Sequence, residues 1–255
     1  EVVIPPITDP GGAMPVALLC QVPVVSDAAP GSFNAGAEQI EAVLTPNTRA
    51  IVVAHIAGEP ADMDPILDLA QARGIPVVED CAQAHGALYK GRMVGTFGDI
   101  AAFSTMSGKH HATGPQGGVV FTRDEALVWE SKRFSDRGKP FNTEATSNLR
   151  AGLNLNGNDL SAAIGRVQLR RIVAMNDRRH QVAEQIEEGI AGLKAVRLGW
   201  QAEQTQGVYW FMRFHVDVDK LTVDKDAFAK AVASEGVPVS ASYRHIPSEA
   251  IWFKE

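Results

Sequence analysis

The chain has 255 residues, 45% of them hydrophobic and 21% charged, enough apolar material for one large α/β body or a large unit with a smaller one. Its formal net charge of −6 argues against a nucleic-acid surface, which needs clustered Lys and Arg, but leaves room for an anionic small ligand held by a few local donors. Cys20 and Cys81 show no metal or disulfide spacing and point to a reducing, cytoplasmic setting, and no apolar run approaches the roughly 20 residues of a membrane span.

The opening, Glu1-Val-Val-Ile-Pro5, reads as a strand already in progress, and the end follows directly on the apolar Ile251-Trp-Phe. Sequence is therefore expected to be missing at both ends. Residues 22–25 and 50–55 are short runs rich in β-branched side chains. A helix is predicted after the second, with Asp62 as cap, Pro65 in an early turn, Gly74 at the exit, and Ile66, Leu69 and Ala70 on one face. Residues 75–79 form the next strand, which ends at Asp80. Residues 100–103 and 119–121 are further strands around a segment rich in Gly, His and Ser. Such alternation predicts a largely parallel sheet with crossover helices.

From Asn158 to about Leu193 one long helix is expected, with Leu160, Ile164, Val167 and Ile172 as its apolar stripe. Arg170, Arg171, Arg178 and Arg179 are read as a solvated face. Beyond Gly199, residues 208–218 alternate like a half-buried antiparallel strand, 224–234 form a helix and 237–242 another strand. The division is thus a large α/β unit over 1–175, and over 176–255 a connecting helix with a small α+β domain.

Open α/β sheets bind ligands at the carboxyl edge of their strands, and four features fall there. Asp80, in Glu79-Asp-Cys-Ala-Gln-Ala-His-Gly86, needs a charged partner or strong hydrogen bonds if buried; taken alone it is more often a helix cap. Lys109 follows an apolar strand, between Ser104 and the glycine-rich return Gly114-Pro-Gln-Gly-Gly118. An amine held there, with a lowered pKa, can form a Schiff base, although most lysines are merely solvated. His110-His111 has no third ligand at a metal spacing, so no metal is expected. Gly152-Leu-Asn-Leu-Asn156 reads on spacing alone as a turn before a helix. Together, an aspartate at one strand end and a lysine after another are the two halves of a pyridoxal-phosphate site. The carboxylate keeps the pyridine nitrogen protonated, and the lysine holds the aldehyde and moves the proton.

At these residues the chain resembles the DegT/DnrJ/EryC1/StrS family of sugar aminotransferases. The matching stretches are VVAHIA (52–57), VEDCAQAHGALYKG (78–91), GTFGDIAAFS (95–104), Lys109 with Gly117-Gly118, and GLNLNGNDLSAAIG (152–165). The resemblance implies a type I fold for pyridoxal-phosphate enzymes, with a mostly parallel, seven-stranded sheet and a small C-terminal domain. It implies that Asp80 pairs with the pyridine nitrogen, Gln83 bonds the ring hydroxyl, Ala82 packs on the ring and Ser104 binds the phosphate. Asn154 would reach the phosphate of a neighbouring subunit, making a homodimer with shared sites. The implied reaction takes an amino group from glutamate or glutamine to a keto-sugar, nucleotide-linked, or to a keto-cyclitol. His55, His85 and His245 are candidate substrate-side residues.

Several positions depart from the family pattern. The Ser-Gly-Thr turn that cradles the phosphate is absent. Asp9 stands where an aromatic usually stacks on the pyridine, so that either Ile7 covers the ring or the backbone differs. Pro115-Gln116 lengthen the return after Lys109, and Asn156 replaces an arginine. Three rivals share the fold: a dehydratase, disfavoured because that branch carries His in place of the lysine; a synthase of the aminohydroxybenzoate type, whose end resembles Tyr243-Arg-His245 and Trp252; and a non-catalytic regulatory homologue.

Overall fold

A computed structural model describes residues 1–254; Glu255, the last residue of the expected second unit, lies outside the described residues. The apolar runs form strands β1 (Val2–Ile4), β2 (Pro23–Val25), β3 (Ala50–Ala54) and β4 (Val77–Asp80), with helices α1 (Met14–Leu18), α2 (Ala37–Glu41) and α3 (Met63–Arg73) between them. A small hairpin, β5 (Leu88–Tyr89) and β6 (Arg92–Met93), leads to β7 (Ile100–Ser104) and β8 (Gly118–Phe121). Helices α4 (Glu125–Ser135) and α5 (Asp159–Ile190) follow. The remainder holds β9 (Val196–Leu198), β10 (Thr205–Gln206), β11 (Phe214–Val216), α6 (Lys225–Ser234) and the short α7 (Ile251–Lys254).

Local chemistry sets the helix ends. Gly74 closes α3 in the left-handed region, and its N–H returns to Ala70 and Gln71. Asn158 starts α5 by accepting the Ser161 N–H, and Asp124 does the same for α4. Asp62 precedes α3 but does not cap it; its carboxylate accepts the Tyr89 hydroxyl at 2.7 Å instead.

The main sheet runs β2-β1-β3-β4-β7-β8, parallel from β2 to β7, with β8 antiparallel at the edge. It has six strands among the described residues, where the resemblance implies seven. The order reverses beside β1, which leaves a crevice at the carboxyl ends of β1 and β3. Register sets what stands next to that crevice: Ala54 lies opposite Asp80, and Asp80 opposite Ala102. Ile51, Val53, Ile66, Val77, Ala101 and Tyr89 are buried in the main core, and each large side chain there contributes about 1.5–3 kcal/mol.

The C-terminal segment differs from expectation in two places. Residues 208–218 yield only β11, because Val208 and Trp210 donate their backbone N–H groups to Gly58 and Ala57 rather than to a strand partner. Tyr209 between them sits at φ 47°, which no strand allows. Residues 237–242 form no strand; Gly236 turns at φ 91° and Pro238 has no N–H to give a ladder. Instead β10 pairs antiparallel with β5, and β11 with β9.

The apolar stripe of α5 faces outward. Leu160 is 80% exposed, and Ile164 and Val167 are exposed too, while Gly165, Asn176 and Ala183 are the residues the helix buries. All of β8 is likewise exposed. Of the arginines read as solvated, Arg179 is not: its guanidinium donates to the Tyr209 carbonyl at 2.6 Å.

Candidate active site

The residues that follow β1, β3 and β4 converge on the crevice. Thr8, Asp9, Ala54, His55, Ile56, Asp80, Ala82 and Gln83 line a recess with an empty volume of about 210 Å³. A larger hollow of about 770 Å³ lies at the opposite, amino ends of β3 and β4, between Leu44, Arg49 and Arg73. Arg73 there is already paired with Glu41, and Arg49 donates to backbone carbonyls, so the hollow holds no group poised for chemistry.

Asp80 ends β4, with part of its surface open to the recess while neighbouring atoms enclose its carboxylate. Burial raises its pKa, opposed by the Ala82 N–H at 3.0 Å and by the nearby Lys109 ammonium. Gln83 is buried and oriented: its carbonyl oxygen accepts the Ala57 N–H at 2.7 Å, so that its amide NH2 points to the Tyr243 hydroxyl at 3.3 Å. Ser104 ends β7. Its oxygen accepts only a long bond from the Met106 N–H, 3.4 Å, which leaves the hydroxyl proton free to donate.

Lys109 is buried five residues after Ser104, following Gly108 at φ 89°. Burial lowers its pKa, and the carboxylates of Asp9 and Asp80 oppose that fall. Its ammonium lies 3.9 Å from the ring centroid of Trp210. Asp9 uses its carboxylate to cap a short turn at Gly11 and stacks on nothing, and Ile7 packs with Ala54, Ile56 and Ala57.

The histidines divide. His55 lines the recess but is held on both sides: Nδ1 accepts the Ala61 N–H at 3.0 Å, so the Nε2 proton goes to Glu79 at 3.1 Å. Glu79, fully buried, also accepts the N–H groups of Gly95, Phe97 and Gly98 at 2.6–2.7 Å. Burial alone would raise its pKa, but His55 and these amides outweigh it and hold it below the usual carboxylate value. Glu79, His55 and Cys81 are the one group close enough to share a metal among the described residues. His55 and Glu79 are already spent on these bonds, and burial beside Glu79 and Asp80 pushes the Cys81 thiol far up, so the trio is structural.

His85 is buried against Phe103, His110 and His111, with ring centroids 5.6, 5.9 and 6.2 Å away, and neither of its nitrogens has a partner. Burial and the nearby charges of His110, His111 and Lys109 push it down to about 4. His110, bonded to the Val208 carbonyl, is pushed down to about 4 mainly by burial. His245 is exposed; its carbonyl accepts the Thr8 N–H and its ring packs edge-on to Tyr243. Asn154 is engaged elsewhere, paired with Asp136 and accepting the Asn156 amide at 2.8 Å.

Two groups escaped the sequence reading, Trp210 and Arg213, and a third, Tyr243, is singled out there only for its likeness to a synthase. Trp210 lies beneath the lysine, Tyr243 bonds Gln83, and Arg213 makes a buried ion pair with Glu59. All three join the first half of the chain across 102 to 160 residues, and no local pattern encodes that distance.

A carboxylate and an amide thus line the recess, an amine lies near enough to sense that carboxylate, and a free hydroxyl ends the adjoining strand. The model of the DegT/DnrJ/EryC1/StrS aminotransferase family matches residues 1–253. The chain belongs to that family. GDP-perosamine synthase of Caulobacter vibrioides is 35% identical over 76% of this chain and 52% of its own length. L-glutamine:2-deoxy-scyllo-inosose aminotransferase of Micromonospora echinospora is 33% identical over 95% and 60%. Among solved structures, an aminotransferase from Psychrobacter cryohalolentis superposes with a TM-score of 0.87 at 33% identity, covering 93% of this chain and 65% of that one. The chain spans roughly half the length of such named relatives, 52% and 60% of these two. Aminotransferases of the DegT/DnrJ/EryC1/StrS family depend on pyridoxal phosphate, and the donor set fits that cofactor: carboxylate for a pyridinium, amide for a ring hydroxyl, hydroxyl for a phosphate, amine for an aldehyde.

Proposed function

We propose that this chain is the body of a pyridoxal-phosphate-dependent aminotransferase that moves an amino group from glutamate or glutamine to a keto-sugar, nucleotide-linked, or to a keto-cyclitol. The observation that carries this is the placement of Lys109 and Asp80 at the ends of adjoining strands, close enough to influence each other's protonation. The two relatives named above, one named for a GDP-linked amino sugar and one for a cyclitol with glutamine as donor, support the substrate class.

The cofactor, when bound, supplies an electrophilic aldehyde and a pyridinium ring that delocalises electrons released at a donor's α-carbon. The protein's part is to hold and to move protons. Asp80 would keep a proton at the pyridine nitrogen, Gln83 would present its fixed amide to the ring hydroxyl, and Ala82 would pack on the ring. The Ser104 hydroxyl would donate to the phosphate. Lys109 would hold the aldehyde and, as a free amine, would carry the proton. Its lowered pKa raises the share of free amine available for that work. His55, held by Glu79, and the partnerless His85 support the site from behind, and His245 belongs to the substrate side.

A homodimer in the cytoplasm completes the reading. The outward stripe of α5 and the exposed β8 are an apolar surface of the kind that subunits cover. Asn156 takes up the Asn154 carbonyl oxygen and so leaves the Asn154 NH2 free to donate, which suits the phosphate of a neighbouring subunit. Residues 1–175 then form the cofactor unit, and 176–255 the connecting helix and a smaller unit.

Absorbance tests the reading. The full-length protein with pyridoxal phosphate is expected to show a band near the visible edge that glutamate or glutamine bleaches and Lys109→Ala abolishes. A wild-type protein without the band, or a band unchanged in the variant, overturns it.

A further inference from the structure

We propose that Trp210 is a positioning residue for Lys109, whose free ammonium rests on the indole face while the amine is not bound to cofactor. This rests on the reading of Lys109 as the cofactor-bearing amine.

The geometry is specific. The ammonium lies 3.9 Å from the indole centroid, well inside the range of about 6 Å over which a ring quadrupole attracts a cation. The ring cannot drift. Its Nε1–H donates to the carbonyl of Gly108, the residue before Lys109, at 3.1 Å, and the Trp210 backbone N–H donates to Ala57 at 2.8 Å. Arg179 pins the preceding carbonyl, that of Tyr209, at 2.6 Å. Tyr209 itself is held at φ 47°, an arrangement that needs such anchoring. Trp210 is therefore tied to the backbone on both sides of the crevice, and the lysine tip lies across it.

The chemistry explains why an aromatic face serves here. The charged and titratable groups around the lysine are Asp9 after β1, Asp80 on β4, and His85 and His110 behind it. A close ion pair with Asp80 would occupy the carboxylate that the cofactor nitrogen requires. The indole attracts the ammonium without accepting its proton and without engaging either carboxylate, so the amine stays charged, near and releasable.

The test follows Lys109 itself. In full-length protein freed of cofactor, labelling of Lys109 by trinitrobenzenesulfonate is measured against pH by peptide mass spectrometry. Trp210→Leu is expected to lower the labelling midpoint by about 0.5–1 pH unit, and Trp210→Phe, which keeps a ring face, by less. Fluorinated tryptophan incorporated throughout the chain weakens the ring face without changing its shape, and is expected to lower the midpoint with each added fluorine. That arm stands even if Trp210→Leu does not fold. An unchanged midpoint in folded Trp210→Leu, or across the fluorinated series, overturns the proposal. Failure of wild-type protein to form the cofactor band, by contrast, removes the aminotransferase reading and leaves the labelling result standing by itself.

Discussion

Glu79 concentrates more bonds than any other side chain near the crevice, and its neighbour Asp80 depends on it. Two carboxylate oxygens serve His55 and three backbone amides, which tie β4 to the loop before β7. Glu79→Ala would leave those buried N–H groups without an acceptor, at about 1–3 kcal/mol for each one left unpaired. The expected outcome is a large fall in the urea midpoint together with weakened cofactor binding, because Asp80 shifts with its strand; an unchanged midpoint would count against the structural role given to Glu79. His85 and His110 predict a pH dependence of their own. In the unfolded chain both take up a proton near 6.5, whereas the fold holds them neutral down to about 4. The unfolded state therefore binds more protons between those values, so this contribution is complete above about pH 6.5 and is lost as pH falls toward 4. Urea midpoints measured at pH 7.5, 6 and 5 should decline in that order, and less steeply in His85→Leu.

At the scale of elements, the turn after β3 is a tight joint. Gly58 sits at φ 82°, and a Cβ there would come within 2.8 Å of the Gln83 carbonyl and 3.0 Å of the Tyr209 nitrogen. Gly58→Ala is expected to cost about 1–3 kcal/mol or more and to push away the segment that carries Trp210, which denaturation and the Lys109 labelling profile would both register. The central strands of the main sheet were legible because short β-branched runs announce themselves, as residues 50–55 and 75–79 do. The last third was less so. Residues 208–218 alternate like a strand, yet Tyr209, the Glu59–Arg213 pair and the bonds to Ala57 and Gly58 bend the segment into a strap. Lys109 and Asp80 could be named from the sequence because residues on adjoining strands supported each other and the family pattern. Trp210 could not, since nothing at its own position speaks of a lysine 101 positions earlier.

For the whole molecule, the Glu59–Arg213 ion pair joins the segment after β3 to the one before β11. Burial raises the Glu59 pKa even beside the guanidinium, so the pair exists under strain of desolvation. Arg213→Met, which strands a buried carboxylate, is expected to destabilise by about 3–5 kcal/mol, whereas replacing both partners by apolar residues should cost much less. A double-mutant cycle in urea checks this. The outward face of α5 makes a second prediction at this scale. Ile164→Asp should convert the proposed dimer to a monomer in analytical ultracentrifugation with the fold of each chain intact, and a variant that stays dimeric would remove α5 from the interface. The strap over residues 207–213 also sets a timetable. During synthesis the six strands described for the main sheet are complete by residue 121, but the wall beneath the lysine is about ninety residues further on, about 5–20 seconds of elongation. Through that interval Lys109 is an ordinary solvated ammonium, and it gains its lowered pKa only as the later segment folds back over it.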